Sequence, residues 1–305
     1  MRPPVGATAA TIDFSADSWF NSRRSTHAMK KTEDSGEKFR QTLPESRRIV
    51  VKIGSKVIVD AKGRPDRRRL AAIVAQVAAL RRRGCEVVLV SSGAIASGME
   101  ALGIARRPSA VPDLQMCAAA GQVRLMTLYH ELFAAEKVRV GQLLLTHEDF
   151  DRRLSVANMR RTMDHLLRAG VVPVVNENDA VADEEVKAYM SLGDNDHLAS
   201  LVARQTRSDL LVMLSAVDGL RRPAAGGRTA RVPYVESIGR AAMALVRPAE
   251  AGGVSKGGMD SKLRAAAACV QAGCNVVIAD GRRRDVLTRV FEGADEGTLF
   301  PAVPR

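Results

Sequence analysis

From residue 47 onward, short β-branched runs alternate with longer stretches in which apolar residues recur every three or four positions. Ile49 to Ile53 reads as a strand, and Arg67 to Arg83 as a helix with Leu70, Ile73, Val74, Val77 and Leu80 on one face and Gly84 as its stop. Glu86 to Val90 is the next strand. Residues 114–135 and 155–169 read as helices, the second closed by Gly170 ahead of the strand Val171 to Val175. Leu198, Leu201 and Val202 resume helical spacing, Leu210 to Leu214 is a strand, Met259 to Gln271 a helix stopped by Gly273, and Asn275 to Ala279 a final buried strand. This alternation predicts an α/β fold, a three-layer α/β/α sandwich with a mostly parallel central sheet covered on both faces.

Residues 1–46 lack sustained periodicity and mix Ser, Thr, Pro and both charge signs, so they read as a disordered or loosely attached extension. Its Arg and Ser content resembles an organelle-targeting segment, against which stand Asp13, Asp17, Glu33 and Asp34; Met29 is an alternative start. The remainder, residues 47–305, is long and apolar enough, with 46% hydrophobic residues in the whole chain, to bury a substantial core. No apolar run approaches the roughly 18 residues of a membrane span, and no secretory segment opens the chain, so the expected location is the cytoplasm. Cys85, Cys117, Cys269 and Cys274 show neither CxxC pairs nor metal-ligand spacing, which predicts reduced, mostly buried thiols.

A formal charge of +12 favours anionic partners, nucleoside phosphates among them. The clusters Arg67-Arg68-Arg69, Arg81-Arg82-Arg83 and Arg282-Arg283-Arg284 fall at helix ends or in loops and read as solvated surface; with 4% aromatic residues there is no stacking platform for a nucleic-acid strand. Neither nucleic acid nor membrane is assigned as a partner.

The polar residues that break the pattern gather where strands end. Lys52 sits among Val50, Val51 and Ile53, and the strand breaks at once into Gly54-Ser55. Burying that ammonium is costly unless it emerges at the sheet edge toward an anion; the alternative is an exposed lysine on an edge strand. The strand ending at Val90 runs into Ser91-Ser92-Gly93-Ala94, small residues whose amides and hydroxyls suit an oxyanion. Asn176, Glu177, Asn178 and Asp179 follow Val175, at the end of a parallel strand where ligands bind. Asp194 or Asn195 then caps the next helix. Asp194 and Asp196 also have the spacing of a metal pair, but the cap accounts for Asp194, and no residue is assigned to a metal. The glycine-rich stretch Gly252 to Gly258, leading through Met259, Asp260, Ser261 and Lys262 into a helix, suits phosphate at a helix N-terminus without Walker A spacing, and no GxGxxG follows any strand.

Together these segments resemble the amino-acid kinase family, and within it the kinases that phosphorylate the side chain of L-glutamate. The resemblance covers residues 47–300 and rests on Val50-Val51-Lys52-Ile53-Gly54-Ser55, Ser91 to Gly98, Gly141 to Thr146, Asn176 to Ala182, Gly193-Asp194-Asn195-Asp196, Gly257 to Leu263, and Glu292-Gly293 with Gly297 to Phe300. It implies an N-terminal glutamate-binding half and a C-terminal ATP-binding half, and transfer of the ATP γ-phosphoryl group to the γ-carboxylate of L-glutamate, the first step of proline biosynthesis. By the resemblance, Lys52 and Lys262 are catalytic, with Asp196 holding their ammonium groups. Ser92, Gly93 and Ala94 surround the reacting carboxylate, and Asn176, Asp179 and Asn195 the amino-acid end. Gly54, Ser215, Ala216, Lys256, Gly257, Gly258, Met259, Asp260 and Ser261 contact the nucleotide. Magnesium arrives on ATP, proline is the feedback inhibitor at or near the glutamate site, and the chain is a homo-oligomer, a dimer or tetramer. No stretch of these residues resembles the PUA-class domain that many relatives carry at the carboxyl end.

The sequence departs from the family pattern at Ala216 and Arg221, where Asp and Tyr are usual, in the Gly-, Ala- and Arg-rich run Pro223 to Val232, at Ser255-Lys256, and in a longer loop between Asp179 and Gly193. These departures leave two alternatives open: a kinase of the same fold for another carboxylate or amino-acid acceptor, and a ligand-binding homologue with impaired turnover.

Overall fold

Seven strands and the helices between them build one layered sheet in the computed structural model, which describes residues 36–60, 63–181, 195–246 and 258–303. In chain order the strands are β1 (Arg48–Ile53), β2 (Glu86–Val90), β3 (Arg139–Leu145), β4 (Val171–Glu177), β5 (Leu210–Ser215), the short hairpin β6 (Arg221–Pro223) and β7 (Thr229–Arg231), β8 (Asn275–Asp280) and β9 (Thr298–Phe300). The helices are α1 (36–42), α2 (Ser55–Ile58), α3 (Arg67–Arg82), α4 (Ala94–Ala101), α5 (Val111–Ala135), α6 (Glu148–Asp151), α7 (Arg153–Arg168), α8 (Asn195–Gln205), α9 (Arg240–Ala244), α10 (Met259–Gln271) and α11 (Val286–Phe291).

The main sheet runs β3-β4-β2-β1-β5-β8-β9, parallel throughout except for the final β8–β9 pair. The strand Asn275 to Ala279 is therefore not the last: three buried residues, Thr298 to Phe300, return beside it, too short a run to show a period in the sequence. Successive strands step from β1 through β2 to one side, and β5 then pairs on the other side of β1. That reversal beside β1 opens a crevice at the carboxyl ends of the strands.

Alternation along each strand divides the core. Ile49, Val51 and Ile53 face α3, α5 and α11, whereas Val50 faces the layer of α7, α8 and α10. Lys52 is two residues beyond Val50 and pairs in register with Val90 and Met213, so it shares the α8/α10 face. It lies on a central strand and is buried, which replaces both the exposed edge-strand alternative and the exit at a sheet edge.

The expectation of a loose extension is corrected for residues 36–46. Phe39 stacks on Tyr234 with ring centroids 5.9 Å apart, and the buried Arg40 guanidinium donates to the carbonyls of Ala294, Glu296, Pro233 and Gly297. Residues 1–35, with Met29, lie outside the described residues. The arginine clusters are engaged at the surface: Arg67 with Glu131, Arg82 with Glu136, Arg83 with Glu292, Arg282 with Asp280 and Arg283 with Glu296. All four cysteines are buried and free. No helix among the described residues is long and apolar enough to cross a membrane.

Candidate active site

Three charged side chains meet at the crevice. Lys52 Nζ lies 2.6 Å from Asp196 Oδ1, and Lys262 Nζ lies 2.9 Å from Asp196 Oδ2. Each comes from a different element: Lys52 from the end of β1, Asp196 from the first turn of α8, and Lys262 from the first turn of α10. The helices are held there by their apolar stripes, Leu198, Ala199, Val202 and Ala203 against Leu263, Ala266, Cys269 and Val270, in the core they share with Val50 and Met213. Burial alone pushes the Asp196 carboxyl up, but the Lys52 and Lys262 ammonium groups outweigh it and hold that carboxyl well below the usual carboxylate range. The carboxylate therefore stays ionised and fixes two cations side by side at the switch in strand order.

Gly54 continues from Lys52, and its N–H, expected to face phosphate, donates instead to Leu214 O of β5 at 2.9 Å. What the residue contributes is its missing side chain, since a Cβ there would stand 3.2 Å from that carbonyl.

On the β2 and β4 side, small and polar groups interlock. Gly93 takes φ +95 at the N-cap of α4, where an added Cβ would stand 2.6 Å from Ile58 Cδ1, so only glycine turns the chain there without strain. Ala94 opens α4, placing the N-terminal amides of that helix beside Ser92. Ser92 Oγ accepts from Asn195 Nδ2 at 3.0 Å, and Asn195 Nδ2 also reaches Asn176 Oδ1 at 3.3 Å. Asn176 and Glu177 prove to be the last residues of β4 rather than the start of a loop. Asp179 follows in a turn and, with Glu177, Asn178 and Ala94, lines a cavity of about 230 Å³. A larger concavity, about 510 Å³, lies at the opposite end of the sheet around Ser46, Cys85 and Phe291, away from every group just described.

On the β5 and β8 side, Ser215 ends β5 and its carbonyl accepts from Gly281 N–H, while the Ala216 carbonyl accepts from Arg282 Nη2 at 2.7 Å. Gly258 is the N-cap of α10, and Ser261 Oγ lies 3.5 Å from Asp196 Oδ2, so this helix N-terminus opens onto the lysine pair. Met259 packs against the core, and Asp260 pairs with Arg264 at 2.8 Å on the exposed face of the helix, which turns both side chains away from the crevice. Lys256, Gly257, Ser255, Asp194 and the loop from residue 182 to Gly193 lie outside the described residues.

Three residues of this neighbourhood carried no role in the sequence reading. Gln122 Oε1 accepts from Asn176 Nδ2 at 2.9 Å. Tyr129 OH and Ser91 Oγ are 2.8 Å apart, and burial pushes the phenol up to about 12, so it serves as a neutral anchor for the Ser91-Ser92 turn. Arg282 ties Asp280 to the end of β5. Gln122 had a legible signal: it interrupts the apolar stripe Ala118, Leu125, Tyr129 and Leu132 on the buried face of α5.

Comparison with known proteins places the chain in a family. The pattern of the Amino acid kinase family matches residues 47–280. The chain is 45% identical over 266 residues to a protein of Myxococcus xanthus named glutamate 5-kinase, covering 86% of this chain and 68% of that one. It is 44% identical over 269 residues to the glutamate 5-kinase of Streptomyces coelicolor, covering 87% of this chain and 70% of the relative. Among solved structures, carbamate kinase from Giardia lamblia bound to AMP-PNP superposes with a TM-score of 0.55 at 16% identity, over 85% of this chain and 99% of that one. UMP kinase from Bacillus anthracis gives 0.54 at 14% identity, over 85% and 97%. These two show the shared fold. The chain belongs to the amino acid kinase family.

Proposed function

We propose that the chain is a glutamate 5-kinase, transferring the γ-phosphoryl group of ATP to the γ-carboxylate of L-glutamate in proline biosynthesis. The observation that carries this reading is the buried Lys52–Asp196–Lys262 cluster at the strand-order switch, in a chain 45% identical to a glutamate 5-kinase. A γ-carboxylate is ionised at neutral pH and needs no strong base, so catalysis reduces to alignment and charge stabilisation. One carboxylate oxygen attacks the γ-phosphorus, the bond from that phosphorus to the β–γ bridging oxygen breaks, and ADP leaves with the electron pair. Lys52 and Lys262 offset the charge on the transferred group, and Asp196 fixes where they stand.

In the same reading, the Ser92 hydroxyl and the α4 N-terminus at Gly93 and Ala94 hold the reacting carboxylate. Asp179 and Asn195 accept from the α-ammonium, and Asn176 orients Asn195. Ser215, Ala216, Gly258 and Ser261 border the nucleotide, together with Lys256 and Gly257. Magnesium belongs to the co-substrate: both oxygens of Asp196 face ammonium groups, which makes it a poor ligand, and the ion bound to ATP offsets phosphate charge. Proline shares the α-carboxylate and adjacent cationic nitrogen of glutamate, so it competes in the cavity beside Asp179. The strand β3 lies at the edge of the sheet with its outer side unpaired among the described residues, which supports assembly with further copies of the chain, and four free, buried thiols support residence in the cytoplasm.

The test is γ-glutamyl hydroxamate formation from ATP, L-glutamate and hydroxylamine. The reading expects hydroxamate and ADP in equal amounts; ATP consumption that depends on a different acceptor, with none on L-glutamate, contradicts it.

A further inference from the structure

Three successive residues in the first turn of α8 grip three different parts of the molecule. Asn195 bonds to Ser92 and Asn176, and Asp196 pairs with Lys52 and Lys262. His197 instead reaches outside that cluster and stacks on His147, with ring centroids 5.1 Å apart and planes 30° from parallel. His147 is the N-cap of α6, just beyond β3, and Asp149 fixes its turn by accepting from Thr146 N–H at 2.8 Å and from Thr146 Oγ1 at 3.1 Å. Leu145 and Leu198, close to the two rings in sequence, pack in one core. The stack therefore ties the helix that carries Asp196 to the end of the edge strand.

The charged groups around the rings are unevenly placed. Glu177, a buried residue at the end of β4, brings Oε1 to 4.0 Å from His147 Nε2, and Asp151 on α6 also faces His147. Arg204, farther along α8, faces His197. Burial pushes both imidazoles below the usual histidine value of about 6.5; Asp151 offsets part of this at His147, whereas His147 and Arg204 add to it at His197. Both rings are neutral at neutral pH, and the first proton goes to His147, the ring beside the carboxylates.

We infer that His147 and His197 are positioning residues: stacked and neutral, they hold the first turn of α8, and with it Asp196 and the lysine pair, in register for phosphoryl transfer, and a proton on His147 releases it. The inference rests on the glutamate reading for its kinetic assay. Only a proton moves, from solvent to an imidazole nitrogen. A half-buried imidazolium gains more from the carboxylate of Glu177 than from the neutral ring of His197, so it is drawn off the stack. The first turn of α8 then keeps only its contacts within the crevice, and turnover falls on the acid side of neutrality.

Kinetics of two variants between about pH 5.5 and about pH 8 test it. His197→Ala removes the stack and is expected to lower kcat about 10-fold at the upper pH. His147→Phe keeps a ring against His197 and removes the proton. Its kcat at the upper pH is expected within about threefold of wild type, and the ratio of its kcat to that of wild type to rise at least about threefold at the lower pH. Titration of ATP is common to both proteins and cancels in that ratio. A kcat of His197→Ala within about twofold of wild type overturns the inference. So does a ratio for His147→Phe that stays flat with pH, which would leave the rings a packing role alone. Should thermal melting show that His147→Phe is unfolded, His147→Gln, which does not titrate, carries the same expectation for the ratio. Wild-type protein that forms no γ-glutamyl phosphate fails the glutamate reading. Amide exchange over Asn195–Gln205, expected faster in His197→Ala than in wild type, then decides this inference by itself, and equal exchange overturns it.

Discussion

In the proposed function two ammonium groups and one buried carboxylate set the chemistry, and each can be separated by substitution. Lys262→Ala removes a cation that acts on the transferred group, so kcat is expected to fall roughly 100- to 1,000-fold while KM for L-glutamate moves little; steady-state kinetics check this, and an unchanged kcat removes Lys262 from the mechanism. Asp196 acts on stability as well. Its carboxyl is held below the unfolded value of about 3.9, so its contribution is present above that pH and is lost as pH falls toward the folded value. Asp196→Asn is expected to lose roughly 3–5 kcal/mol at neutral pH, and its deficit against wild type to narrow below about pH 4. Denaturant midpoints measured across that range decide the matter, and a deficit independent of pH would show that the charge pairing contributes nothing. Lys52 was legible because a lone cation in an apolar strand is an anomaly. Gln122 is legible only as a polar break in the buried stripe of α5; its partner Asn176 lies 54 residues away and no local pattern in the sequence joins them.

At the scale of elements, the cavity beside Asp179, where the proposed function puts glutamate, depends on how closely α4 and α5 approach. A Cβ on Gly121 would stand 1.8 Å from Ala94 O, and one on Gly98 1.8 Å from Cys117 O, so the two backbones touch through glycines. Gly121→Ala must push the helices apart, and it is expected to cost roughly 3 kcal/mol and to raise KM for L-glutamate, since Ala94 and Gln122 border the cavity from opposite sides of that contact. Thermal melting and kinetics on the same sample check both; unchanged melting would mean that the helices part without cost. The sequence reading placed the strand Glu86–Val90 and the helix Met259–Gln271 at their observed ends, because each has a clean period and a glycine or polar residue beyond it. It assigned no strand to Arg139–Leu145, whose mixed exposure on the sheet edge gives no alternation to detect, and none to Thr298–Phe300, which is three residues long. The crossing of α4 and α5 was invisible for a different reason: the sequence shows two glycines, and only the packing shows that they meet.

For the whole molecule, the proposed function puts substrate and nucleotide on either side of β1, with the lysine pair between them. The ends of the described chain are joined by Arg40, whose guanidinium holds four carbonyls of the segments around Pro233 and Gly297. Arg40→Ala strands those carbonyls and is expected to lower stability by about 3 kcal/mol without changing KM for either substrate, checked by denaturant unfolding and kinetics; an unaffected midpoint would mean that residues 36–46 do not brace the fold. The central claim is that a glutamate carboxylate oxygen attacks phosphorus. Its most direct test uses L-glutamate labelled with heavy oxygen in the γ-carboxylate, incubated with ATP, magnesium and hydroxylamine, with mass analysis of the phosphate released. Attack of hydroxylamine on the acyl carbon leaves the bridging oxygen on phosphorus, so the account predicts phosphate carrying one heavy oxygen; unlabelled phosphate released in step with ADP would contradict it.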